Sequence, residues 1–120
     1  MDDVTKQALE QDRTIDITTT GRKTGQLRRT EIWFHNLDGA LYITGTPGPR
    51  DWYANLLGDP EFTFHLKEST QADLLAWATP ILDEVTRRDV IPRIYDKLGR
   101  GDSDIEKRVA RSPLVHVEFV

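Results

Sequence analysis

The residues best suited to do chemistry in this sequence are cations gathered in one loop. The segment TTTGRKTGQLRRT, residues 18–30, contains no acid, and the first acidic residue after it is Glu31. Four of the chain's 16 lysines and arginines fall inside this segment: Arg22, Lys23, Arg28 and Arg29. A cluster of cations without acidic neighbours predicts a binding site for an anionic group.

Phosphate is the anion that this loop suits best. Gly21 and Gly25 let the backbone turn and present N–H groups to an anion. Hydroxyl donors and charge-assisted donors are supplied by Thr20, Thr24, Lys23 and Arg28. GRKTG is not a nucleotide P-loop, because a P-loop has a longer spacer between its glycines and continues into a helix. A solvated loop whose cations only aid solubility is the ordinary alternative.

Other polar residues give weaker signals. His35, His65 and His116 lie on separate predicted strands without the local spacing of metal ligands, so no metal site is predicted and packing or surface roles are favoured. Asp102 and Asp104 stand in a polar segment and are interpreted as solvated turn residues.

Composition restricts the class of protein. The 20 acids outnumber the 16 bases, giving a formal charge of −4, which is the wrong sign for a protein that coats nucleic acid. The absence of cysteine excludes disulfides, thiolate metal sites and cysteine nucleophiles. The polar start MDDVTKQALEQDRT resembles neither a signal peptide nor an anchor, and no apolar run reaches membrane-spanning length, so we expect a cytoplasmic protein.

Strands and hairpins must position the basic loop. TIDITTT alternates with the two-residue period of a half-buried strand, and RRTEIWFHNL and LDGALYITGT form a predicted hairpin across Asp38-Gly39. EFTFHLK and ADLLAWATP predict a second hairpin, and LVHVEFV a final strand.

Helices are predicted between these strands. The stripe of Trp52, Tyr53 and Leu56 indicates a short helix that ends at Gly58, and Asp83 begins another that runs to Leu98. SDIE, at 103–106, is a capping box for a short helix before the last strand. Six strands with short connections predict a mainly β (α+β) fold, a nearly closed antiparallel barrel with short flanking helices, in one domain over residues 1–120.

Two blocks of sequence resemble a known family. TTTGRKTGQLRRT, followed by a strand, a turn, a strand and then DWYANLLGDPEFTF, is similar to the deazaflavin-dependent nitroreductases over roughly residues 15 to 80. The resemblance implies a split β-barrel related to flavin-binding barrels. It also implies reduced deazaflavin, coenzyme F-420, as the hydride donor.

The resemblance also implies roles for individual residues. In the family motif the lysine and the later arginine bind the cofactor phosphate, which correspond to Lys23 and Arg28, with weaker matches at Arg22 and Thr24. The deazaflavin ring is then expected beside four residues: Thr44, Gly45, Thr46 and Trp52.

The segment GTPGPRDW departs from the family pattern. Pro47 stands where family members carry a lysine, and the loop is shorter and rich in proline. Arg50 is the candidate to replace the missing charge. We therefore expect Arg50 to contribute to cofactor binding.

Hydride chemistry belongs to the cofactor, and the protein must orient the ring and exclude water. The expected partners are electron-poor small molecules such as quinones, nitro compounds or enones, with Thr46 and Tyr53 as candidate proton donors. FMN is an alternative cofactor, since the same cations suit its phosphate. A non-catalytic carrier of a hydrophobic ligand such as a fatty acid is a third hypothesis, and family analogy implies a homodimer.

Overall fold

The computed structural model describes residues 1–100 and 104–120. Asp102 and Ser103, predicted in a polar turn and in a capping box, lie outside this part of the chain. The helices are α1 Asp3–Gln11, α2 Asp51–Gly58, α3 Glu84–Lys97 and α4 Ile105–Arg111. The strands are β1 Thr14–Thr20, β2 Leu27–Trp33, β3 His35–Leu37, β4 Ala40–Thr44, β5 Glu61–Leu66, β6 Ala72–Pro80 and β7 Leu114–Phe119.

All the strands belong to one sheet with the order β2-β1-β5-β6-β7-β4-β3. Every pair of neighbours is antiparallel, as the sequence predicts. The two edge strands, β2 and β3, are consecutive in the chain and are separated only by Phe34. Because the edges must meet at this residue, the sheet curls into a half-barrel.

The prediction of six strands is wrong, since the sheet has seven. The segment RRTEIWFHNL is not one strand: Trp33 pairs with Thr14 of β1, whereas His35 pairs with Tyr42 of β4. Phe34 turns the chain between them by donating its N–H to Arg13 O at 2.9 Å. Phe34 and His35 are both buried, so the two-residue alternation of a continuous strand breaks here.

The local turn and strand signals elsewhere are confirmed. The β3–β4 hairpin turns through Asp38 and Gly39, whose φ angles are 53° and 95°, and a positive φ at two successive residues is typical of a two-residue hairpin. The β5–β6 hairpin and the strand β7 also form where the sequence predicts them.

The interior of the half-barrel is apolar. On β1 the alternating side chains of Ile15, Ile17 and Thr19 are buried, and α1 covers one end of the core with Ala8 and Leu9. A second cluster lies between the sheet and the later helices and includes Val90, Ile91, Ile94, Val109 and Leu114. Within the described residues, no helix has the length and apolar character needed to cross a bilayer.

His35 is a packing residue with a lowered pKa. The residue is 7% exposed on β3, and burial, with the nearby Lys97 and Arg13, lowers its pKa to about 4. In the unfolded chain an ordinary histidine has a pKa near 6.5. Since the folded state binds the proton more weakly, the stability that neutral His35 provides is present above that pH and is lost as the pH falls towards 4.

We therefore expect His35→Leu to flatten the pH dependence of folding. Between pH 7 and pH 4 the wild-type protein should lose about 3 kcal/mol more unfolding free energy than the variant. Urea unfolding at a series of pH values measures this difference. Leu57→Ala, at an exposed position of α2 without a titratable group, is the control and should keep the wild-type slope. An unchanged slope in His35→Leu would contradict the assignment.

Candidate functional site

The basic loop between β1 and β2 is a tight backbone hairpin. Gly21 N–H donates to Gln26 O at 2.7 Å, and Gly25 N–H donates to Gly21 O at 2.8 Å. Gly25 has a φ of 73°, and a Cβ at Gly21 would lie 3.0 Å from Gln26 O. Both glycines are therefore required by the backbone, in one case by conformation and in the other by close approach.

Asn55 fixes this loop to α2. The residue is 4% exposed, and its Oδ1 accepts hydrogen bonds from Arg22 N at 3.1 Å and Arg22 Nη1 at 2.9 Å. Its Nδ2 donates to Thr19 Oγ1 at 3.2 Å. One buried amide thus joins α2, β1 and the loop. Asn55 was not among the predicted site residues, although a polar residue on the same helix face as Trp52 and Leu56 indicates such a role.

Two of the four cations in residues 18–30 are neutralised by acids distant in sequence. Arg22 Nη2 lies 3.3 Å from Asp51 Oδ1, and Arg29 Nε lies 2.9 Å from Asp16 Oδ2. These partners come from α2 and β1, so sequence neighbours alone could not reveal them.

Lys23 and Arg28 differ from those two. Neither forms an ion pair with an acid in residues 1–100 or 104–120. The remaining positive charge of the loop is therefore concentrated on these two side chains. They are also the two residues that the motif resemblance predicts to bind the cofactor phosphate.

The loop, β2 and α2 enclose a cavity of about 480 Å³. Arg28 pairs with Thr19 and Thr30 with Ile17, so both lie on the inner face of the sheet, opposite α2. Five predicted cofactor residues line this cavity, together with Gly21, Arg29, Thr30, Asp51 and Asn55; the five are Arg22, Lys23, Thr24, Arg28 and Trp52.

The other predicted residues lie in or near the segment that connects β4 to α2. Thr46 Oγ1 accepts a hydrogen bond from Arg50 Nη2, and Arg50 Nη1 donates to Pro49 O at 2.7 Å. Trp52 connects this group to the basic cavity, because its Cζ2 would lie 3.7 Å from a Cβ on Gly45. Thr44, Gly45, Thr46, Arg50 and Tyr53 are not among the residues that line that cavity.

Two of these residues have contacts that restrict their roles. Thr44 is 8% exposed and its hydroxyl donates to Pro113 O at 2.6 Å, so it holds β4 against the start of β7. Tyr53 packs edge to face on Trp52, with ring centroids 5.9 Å apart, and lines a different cavity that also contains Pro49.

The histidines contribute no metal site to the part of the chain that the structure describes, where no group of three or more potential ligands occurs. His65 is a packing residue on the outer face of the sheet. One ring nitrogen lies 2.7 Å from Thr18 Oγ1 and the other 2.7 Å from Asp73 Oδ1. The hydrogen bond to His65 lowers the pKa of Asp73.

We expect Asn55→Ala to destabilise the protein by about 1–3 kcal/mol, because it leaves Arg22 N–H and the Thr19 hydroxyl without their partner. Thermal and urea unfolding measure the effect. Leu57→Ala, at an exposed position of the same helix, is the control and should change the unfolding free energy by less than about 0.5 kcal/mol. If the two variants were equally stable, Asn55 would not anchor the loop.

Solved structures share this fold. One is the conserved hypothetical protein Rv2991 from Mycobacterium tuberculosis, which is 18% identical, with 99% of this chain and 81% of that chain covered at a TM-score of 0.73. A protein described as an F420 reductase is 14% identical over 96% of this chain and 92% of that chain, with a TM-score of 0.72. An FAD-binding protein from Mesorhizobium loti is 11% identical over 100% and 91%, with a TM-score of 0.73. At these identities the likeness shows the fold alone.

A model of one protein family matches the sequence directly. It covers residues 3–90, which contain the basic loop, α2 and both hairpins. Among curated proteins, no relative matches the sequence. The family model spans more than half of the chain. Its description names the same coenzyme, F-420, as the family that the two sequence blocks resemble. The chain belongs to the F420H(2)-dependent quinone reductase family.

Proposed function

We propose that this protein transfers a hydride from reduced coenzyme F-420 to an electron-poor small molecule such as a quinone, a nitro compound or an enone. The observation that carries the proposal is the pair of uncompensated cations, Lys23 and Arg28, at the edge of a cavity in a chain of this family. A cavity of this kind favours a phosphate-bearing ligand.

The donor set fits the phosphate of the cofactor. Lys23 and Arg28 provide charge, whereas the N–H groups of Gly21 and Gly25, which the sequence suggested for the anion, already donate to Gln26 O and Gly21 O and are not available to it. Thr24 Oγ1 accepts from Gln26 N at 3.2 Å, which leaves the hydroxyl hydrogen available to an anion. Arg22, held by Asn55 and Asp51, positions the loop in this proposal.

The second part of the site would hold the ring. Trp52, which is 7% exposed, lines the basic cavity and lies beside Gly45, so it provides an apolar surface next to the backbone of Gly45 and Thr46. The hydrogen bond from the Thr44 hydroxyl to Pro113 O fixes the start of the segment that contains Gly45 and Thr46. Arg50 holds the hydroxyl oxygen of Thr46 and leaves the hydroxyl hydrogen free to donate.

When bound, the cofactor supplies the hydride, and the chain supplies position and a dry surface. The loop fixes one end of the ligand, and Trp52 limits the movement of the other end and excludes water from it. Thr46 and Tyr53 are the proposed sources of the proton that completes reduction of the acceptor. A homodimer and a cytoplasmic location remain predictions.

FMN is the second candidate cofactor, because Lys23 and Arg28 suit its phosphate as well as that of F-420. A fatty-acid carrier is disfavoured at the basic cavity, since its lining is mainly charged and polar. Separate titrations with F-420, FMN and a fatty acid distinguish the three hypotheses. Retention of the lipid with no binding of F-420 or FMN would favour the carrier.

We expect Lys23→Ala and Arg28→Ala each to weaken binding of F-420 by about 10- to 100-fold, since each removes a charge-assisted hydrogen bond. Fluorescence titration measures the affinity. Arg29→Ala is the matched control, because Arg29 is already paired with Asp16 and should change the affinity by less than about threefold. Equal losses in all three variants would refute the distinction between paired and unpaired cations.

Arg50→Ala should also weaken cofactor binding, by about 3- to 10-fold, because Thr46 loses the donor that orients its hydroxyl. The same titration applies. Arg93→Ala is the control. Arg93 lies on α3, away from the proposed site, and is paired with Asp38 and Asp89. An affinity of Arg50→Ala equal to that of the wild type would remove Arg50 from the site.

A further inference from the structure

A second cavity also adjoins the start of α2. Its volume is about 300 Å³, and its walls include Pro49, Tyr53, Leu82 and Pro113. These side chains give it a largely apolar surface suited to a flat organic molecule. Three polar residues, Arg87, Arg111 and Ser112, also line it, and none of them belongs to the site described above.

Ser112 has a hydroxyl without a partner. The residue is 3% exposed, and its Oγ is the one buried side-chain nitrogen or oxygen that forms no hydrogen bond within residues 1–100 and 104–120. A buried hydroxyl that has lost water and gained no partner destabilises the folded state. An alanine here would avoid that cost, so the hydroxyl of Ser112 is available to a ligand that completes the bond.

Arg87 is a buried cation without a carboxylate partner among the described residues. It is 8% exposed, and its guanidinium donates only to backbone carbonyls: Val109 O at 2.7 Å, Ile81 O at 2.9 Å and Ser112 O at 2.5 Å. A guanidinium has more N–H donors than these three bonds use. Its positive charge therefore favours an electron-rich oxygen in the cavity.

The cavity is adjacent to the proposed cofactor site. Tyr53 follows Trp52 in α2, and their rings lie edge to face with centroids 5.9 Å apart. From a Cβ on Gly45, Trp52 Cζ2 would lie 3.7 Å away and Pro113 Cγ 3.6 Å away. Gly45 thus contacts one wall of each cavity, so a ligand in either would approach the same segment of backbone.

We propose that this second cavity binds the hydride acceptor, a quinone or enone, and that Ser112 Oγ and the Arg87 guanidinium bind its carbonyl oxygen. The proposal rests on the function proposed above. A quinone that receives one hydride gains two electrons and becomes a hydroquinone anion, whose negative charge resides on oxygen. One proton from water, directly or through Tyr53, then completes the hydroquinone. A hydroxyl and a guanidinium beside that oxygen stabilise the charge as it develops.

Ser112→Ala provides the most direct test. We expect the melting temperature to stay the same or rise, because the variant removes an unpaired buried hydroxyl. The affinity for F-420 should be unchanged. With menadione as acceptor, kcat/KM should fall about tenfold. Ser69→Ala, at an exposed serine that bonds Asp12, is the control and should match the wild type in all three measurements.

A binding measurement without turnover supports the kinetic test. Calorimetric titration of the cofactor-free protein with 1-naphthol, which carries one phenolic oxygen and accepts no hydride, should give about tenfold weaker binding to Ser112→Ala than to the wild type. Leu82→Trp is a second variant. Leu82 is 73% exposed at the edge of the cavity, so a larger side chain should preserve the fold and raise the KM for menadione.

The outcomes separate this inference from the proposed function. If wild-type protein binds F-420 and reduces menadione, but Ser112→Ala and Leu82→Trp have wild-type kinetics, the acceptor site is wrong and the function stands. If Ser112→Ala lowers turnover only in proportion to a lower melting temperature, the hydroxyl is structural and the inference fails. If the wild type neither binds F-420 nor reduces menadione, both proposals fail.

Discussion

The interruption of strand pairing at Phe34, between β2 and β3, is the constraint on which the half-barrel depends. It sends β2 to one edge of the sheet and β3 to the other, although they are consecutive in sequence. Phe34 is 2% exposed and packs edge to face on Phe64, with centroids 5.2 Å apart, so the corner is fixed by the core itself. Because the sheet curls, Arg28 and Thr30 of β2 lie opposite α2, and the basic cavity forms between them.

Charge within that cavity is unevenly compensated, and this follows from the fold. Asp51 and Asp16 neutralise Arg22 and Arg29, while Asn55 satisfies the loop backbone without adding negative charge. An aspartate at position 55 would have weakened the positive field that Lys23 and Arg28 produce. The buried amide therefore gives the loop a fixed shape and leaves its free charge available to a ligand.

The sequence predicts the features that depend on near neighbours. The alternation of β1, the Asp38-Gly39 turn and the glycines of the basic loop all follow from local backbone chemistry, and the structure confirms them. The motif resemblance also led to the correct family. The role of each proposed site residue remains a prediction that binding measurements must test.

Features that depend on tertiary contacts were not predictable in the same way. The sequence around Phe34 has the pattern of one continuous strand, and only the pairing partners of Trp33 and His35 show that two strands meet there. The partners of Arg22 and Arg29 are distant along the chain, and Asn55 resembles an ordinary solvated helix residue by type alone. The unpaired hydroxyl of Ser112 is visible only once β7 and its preceding turn have packed.

In the function proposed here, Lys23 and Arg28 hold the phosphate of F-420 in the cavity between the basic loop and α2. A crystal structure of the protein saturated with F-420 would test these contacts. We expect a phosphate oxygen at a hydrogen-bond distance of about 2.7–3.2 Å from Lys23 Nζ and from the Arg28 guanidinium, with the ring beside Trp52 and Gly45. A complex in which the phosphate lies elsewhere, with both cations facing solvent, would contradict it.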